Sequence, residues 1–137
     1  MFFADRNLGR RFVEILRHAG VAIERHDDHF AQDTRDEDWI RTVASRHWVG
    51  ITHDQQVRRR PNEKAAILDS SLRVIVVASR LPFPAVAEHF VRSIPQVERF
   101  LARHPAGPWV AGFYCPTPSE LSSKRDPRGR MERWTLR

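Results

Sequence analysis

Asp5 follows the apolar run Phe2-Phe3-Ala4, Asp54 comes shortly after Trp48-Val49-Gly50-Ile51-Thr52, and Asp36-Glu37-Asp38 precedes Trp39 and Ile40. Carboxylates from separate segments can share a hard divalent cation such as Mg²⁺ or Mn²⁺, because these ions prefer oxygen ligands. Left alone they would repel: two like charges about 4 Å apart cost roughly 4 kcal/mol at an effective dielectric of 20. Partial protonation or a bound cation offsets that repulsion. A cation held this way orients a water, lowers its pKa and stabilises charge on a phosphoryl oxygen. Arg58-Arg59-Arg60 then offer guanidinium groups for a polyanion. A simpler reading stands beside this chemistry. Acids in the first turn of a helix suit its macrodipole, an Asp after a strand is a common turn residue, and a run of Arg can be a solvated loop. Spacing alone leaves both readings open.

The acids meet only if the elements carrying them end on one rim. The residues before Asp5 read as a short buried strand. Leu8, Phe12, Ile15, Leu16 and Ala19 repeat with helical spacing and predict a helix over 7–19 that stops at Gly20. Val21-Ala22-Ile23 suits a second strand, and His26 to Arg35 a polar loop. Thr34 with Glu37 matches a capping box, so a second helix should begin near Arg35. The run 48–52 predicts a third strand, and Pro61 a short helix over 62–68. Leu72 to Ala78 is a nearly continuous β-branched run of the kind found where both faces of a parallel sheet are covered. Helical spacing returns at Val86, Phe90 and Ile94, resumes through Val97, Phe100 and Leu101, and gives way to a last strand over 109–115. Such alternation predicts an α/β sandwich with a mainly parallel sheet of about five strands. In open sheets of this type ligands bind beyond the carboxyl ends of the strands. Asp5, Asp54 and the group Asp36-Glu37-Asp38 would all face that rim.

The chain is 137 residues long and 41% apolar, enough for one domain core. Residues 1–115 carry the strand and helix pattern, while residues 116–137 read as a basic C-terminal tail with little core of its own. The bases number 23 and the acids 17. Residues 1–69 hold 12 of each, whereas residues 70–137 hold 11 bases and 5 acids, so the whole positive excess lies in the second half. A basic half suits a polyanionic partner, since neutralising phosphates releases counterions; it also simply aids solubility. No apolar run is long enough to span a membrane and no export leader is visible. With its single Cys115, the chain is expected in the reducing cytoplasm. His26, Asp27, Asp28, His29 and His53 are a weak zinc alternative without cysteine ligands. Gly9, Gly20 and Gly50 are isolated, which disfavours a nucleotide-binding glycine loop.

Phe3-Ala4-Asp5, the helix ending Leu16-Arg17-His18-Ala19-Gly20, Asp36-Glu37-Asp38-Trp39-Ile40, the strand ending Thr52-His53-Asp54, and Arg58-Arg59-Arg60-Pro61-Asn62-Glu63 together resemble the PIN-like nuclease domains, especially VapC-type toxins. The resemblance covers about residues 1–115. It implies a three-layer α/β/α sandwich with an Mg²⁺- or Mn²⁺-dependent acidic site at which water hydrolyses RNA phosphodiesters. Asp5, Asp36 and Asp54 match the family's acids, with Asp38 as a substitute if the helix is rotated. Asn7 would orient Asp5 or a water, and Arg58, Arg59 and Arg60 would grip phosphates. A fourth family acid is not assigned; Asp69 is the next carboxylate along and Glu63 belongs to the Arg-rich element. The resemblance also implies a DNA-binding antitoxin partner and a homodimer. The competing expectation is a catalytically silent relative that binds RNA or protein through its basic half.

Overall fold

In the computed structural model, which describes residues 1–136, the longest β-branched run lies inside the sheet. This strand, β4 (Arg73–Val77), turns Val74 and Val76 into one core and Ile75 and Val77 into the other. Its continuous apolar character thus reflects burial on both faces. Around it stand β1 (Phe2–Ala4), β2 (Ile23–Arg25), β3 (Val49–Thr52), β5 (Trp109–Tyr114) and β6 (Arg130–Trp134), in the order β2-β1-β3-β4-β5-β6. All neighbours pair in parallel except β6, which is antiparallel to β5.

Helices cover both faces and complete the three-layer α/β/α arrangement expected of the sequence. On one face lie α1 (Gly9–His18), α4 (Phe83–Arg92) and α5 (Ile94–Arg103), whose Phe12, Leu16, Phe90, Val97 and Phe100 bury against Ala4, Ile51 and Ile75. On the other, α2 (Asp36–Ser45) and α3 (Pro61–Ser70) bring Trp39, Ile40, Val43, Ala66 and Ile67 onto Phe3, Val74 and Val110. Each large apolar side chain removed from water in this way contributes about 1.5–3 kcal/mol. No helix among the described residues is long and apolar enough to cross a membrane.

Some boundaries differ from expectation, each for a local reason. The second strand begins at Ile23 rather than Val21, because the end of α1 uses Val21: its N–H donates to the Leu16 carbonyl, after Gly20 turns the chain at φ +86°. The box of Thr34 and Glu37 does not form. The residue capping α2 is Arg35, one position later, and no side chain caps it; Glu37 pairs with Arg35 instead.

The largest difference lies after residue 115. The expected tail contains α6 (Pro118–Ser123), which Thr117 and Glu120 open with a reciprocal capping box, and then β6, which adds a sixth strand to the sheet. Trp134 fastens this strand: its indole N–H donates to the Tyr114 hydroxyl at 2.9 Å, and its ring lies over Gly112. A Cβ at Gly112 would stand 2.6 Å from that ring. Gly112→Ala is therefore expected to displace Trp134 and lower stability by about 1–3 kcal/mol, an overpacking cost measurable by urea denaturation.

Candidate active site

Register between β1 and β3 sets the centre of the site. Ala4 pairs with Ile51, and the Asp5 N–H donates to the Ile51 carbonyl at 2.8 Å, so Asp5 and Thr52 leave the sheet side by side at its carboxyl rim. Thr52 is fully buried, and its hydroxyl is a hub. It donates to Asp5 Oδ2 at 2.9 Å and accepts from the Asp54 N–H at 3.1 Å and from Asn7 Nδ2 at 3.3 Å. One donor and two acceptor positions are all a hydroxyl has. Asn7 Oδ1 in turn accepts from the His53 N–H at 3.2 Å. Asn7 thus orients Asp5 through Thr52, not directly.

Asp5 caps the 3₁₀ turn at Arg6–Leu8, and its Oδ1 accepts the Arg6 N–H at 2.7 Å. Burial pushes its carboxyl above the ordinary carboxylate range; the Thr52 hydrogen bond opposes that rise, and the negative charge of Asp36 adds to it. Asp36 therefore acts on Asp5 across the rim although it comes from another helix. It opens α2, and its Oδ1 accepts the Trp39 indole N–H at 3.0 Å. Trp39 is itself stacked on Phe3 of β1, with ring centroids 5.4 Å apart, which fixes this helix end over the first strand.

The other expected residues divide. Asp54 reaches the rim: its Oδ1 accepts the Gln56 N–H at 2.9 Å, while Oδ2 receives Arg60 Nη1. Asp38 does not join them. It is exposed and stands 4.0 Å from Arg35, because two residues along a helix turn about 200° and aim the side chain away from Asp36. The three arginines separate as well. Arg58 is directed away from the acids, donating to the Thr135 carbonyl at 2.9 Å with its guanidinium 4.8 Å from the centre of the Trp134 ring. Arg59 is exposed at a groove of about 380 Å³ between this loop and β6. Only Arg60 enters the acidic rim. Asp69 is remote from it, paired with Arg41 at 3.5 Å, whereas Glu63 in the first turn of α3 acts on the Arg60 charge together with Asp54 and Asp36.

Among the described residues, no three Asp, Glu, His or Cys side chains stand together as a ready metal cage. The donors nevertheless suit Mg²⁺ or Mn²⁺ in kind: carboxylate oxygens on a partly buried rim, two of them close enough for one charge to raise the other's pKa. The histidines have other partners. His26 is buried between Phe3 and Phe30 with Nδ1 3.2 Å from Asp27, and His29 is 3.3 Å from Glu24. Burial pushes the Cys115 thiol up, which opposes nucleophilic use. Sequence reasoning gave Thr52 and Trp39 no individual role beside the acids and left Glu63 unassigned. The one available signal was Thr-x-Asp at a strand end, where a buried hydroxyl beside acids needs partners.

Comparison with known proteins identifies the family. The family model of the PIN-like domain matches residues 1–79, which include every carboxylate on the rim. A Mycobacterium tuberculosis protein whose name marks it as a candidate ribonuclease, VapC45, is 31% identical over 125 residues, covering 87% of each chain. The chain belongs to the PIN-like domain family, among its VapC-type members.

Proposed function

We propose that this protein is an endoribonuclease of a toxin-antitoxin pair, hydrolysing RNA phosphodiesters with Mg²⁺ or Mn²⁺ held by Asp5, Asp36 and Asp54. The observation that carries the reading is the Asp5–Asp36 pair, two carboxylates at the end of β1 and the start of α2 whose charges oppose each other on one partly buried rim. Such an arrangement is unfavourable without a cation. When bound, the cation supplies an activated water and stabilises charge on the departing oxygen. The chain does the rest. Thr52 and the Arg6 N–H hold the two oxygens of Asp5 in place, Trp39 holds Asp36, and Asn7 ties the turn after β1 to Thr52 at the end of β3. Glu63 is the candidate for the additional acid, being the carboxylate of α3 that faces Arg60. Arg60 stands beside the acids, where a phosphate would meet it; Arg58 and Arg59 do not.

The VapC relationship supports a protein antitoxin as partner, and the proposal includes that this antitoxin binds DNA, that the toxin pairs with a second copy, and that both work in the cytoplasm. Metal removal tests the catalytic reading. Purified protein treated with EDTA should lose RNA cleavage to background and regain it on adding Mn²⁺. Salt-sensitive RNA binding with no cleavage under any divalent ion would instead mark a silent RNA-binding module.

A further inference from the structure

We propose that Arg60 is a built-in counter-cation that competes with the divalent ion for Asp54 and so sets the metal affinity of the site. The inference rests on the metal-dependent reading above. Of the two Asp54 oxygens, Oδ1 accepts the Gln56 N–H, and Oδ2 carries the Arg60 guanidinium, so a cation approaching this carboxylate meets that positive charge first. Arg60 lies six residues after Asp54, immediately before α3, and its charge falls within the fields of Asp54, Glu63 and Asp36. Its neighbours do not share this position, since Arg58 is tied to Thr135 and Trp134 and Arg59 lines the groove beside β6.

Asp5 and Asp36 act on each other, whereas the charge of the third carboxylate is already compensated by Arg60. The contact is suited to release. The Arg60 side chain is 48% exposed, and exposed ion pairs are weak and readily screened. A divalent ion carries twice the charge and can accept several carboxylates at once, which one guanidinium cannot match in the same volume. On displacement, the guanidinium stays tethered beside the acids, where a phosphate would meet it.

Calorimetric Mn²⁺ titration of the full chain without RNA tests the competition. Arg60→Gln should tighten Mn²⁺ binding about three- to fivefold, the upper end of what an exposed ion pair is worth. Arg59→Gln, an equal change of charge one residue away, should alter it less than about twofold. In an Asp54→Asn background the Arg60→Gln effect should vanish. Equal affinity in wild type and Arg60→Gln, or equal tightening by Arg59→Gln, overturns the competition and leaves the nuclease reading intact. Absence of Mn²⁺ binding in every variant overturns both.

Discussion

Asp5→Asn is expected to lower Mn²⁺-supported RNA cleavage by about 10³-fold while the chain remains folded. Metal-borne charge stabilisation is worth several kcal/mol, and each 1.36 kcal/mol is tenfold in rate. Asp5 is the most deeply placed of the carboxylates, with both oxygens held by neighbours. Asn preserves its shape and removes its charge, so cleavage assays at saturating RNA read the loss directly. Cleavage within a few fold of wild type would exclude Asp5 as a ligand.

The same substitution exposes the titration of Asp5 in the metal-free protein. Folding raises this carboxyl's pKa, so its contribution to stability is present at low pH and is lost as pH rises through the folded-state value. Asn does not ionise. The melting temperature of the variant minus that of wild type should therefore increase through this titration, above the ordinary carboxylate range, and then level off. A constant difference from acid to neutral pH would show that Asp5 is not raised.

Thr52→Val should cost about 2–4 kcal/mol of stability and reduce cleavage about a hundredfold. Val keeps the volume, so the cost is polar: the Asp54 N–H and Asp5 Oδ2 each lose a buried partner, and a stranded group costs about 1–3 kcal/mol. For a domain of this size the melting temperature should fall on the order of 10 °C. Thr52→Ser retains the hydroxyl and should recover most of the cleavage while keeping a modest packing loss. If Ser were as inactive as Val, the methyl group and not the hydrogen bonds would be what the site needs.

The elements that bury an apolar face were legible in the sequence because periodicity reports burial. Phe12 and Leu16 mark the inner side of α1, and Val74 to Val77 announce a strand covered on both faces. The carboxylates at strand ends were legible for a related reason, since polar residues must stop where the sheet stops. The register between β1 and β3 was not, and it alone makes Thr52 a partner of Asp5. As a β-branched residue in a strand, Thr52 looks ordinary until its neighbours are known. β6 escaped detection because it is an edge strand with charged residues and little alternation; its pairing rests on the backbone register with β5, to which Trp134 over Gly112 adds one apolar contact. The fates of Arg58, Arg59 and Arg60 were hidden too, because a loop has no period from which direction can be read.

β1 lies between β2 and β3, although both follow it in the chain, and Asp5 meets Thr52 across 47 positions. During synthesis the first acid emerges with neither flank to pair with, and ribosomes add only about 5–20 residues per second. A growing polypeptide shorter than the third strand has no assembled pocket. The pairing of Asp5 with Thr52 therefore closes only after the chain has been made through the third strand.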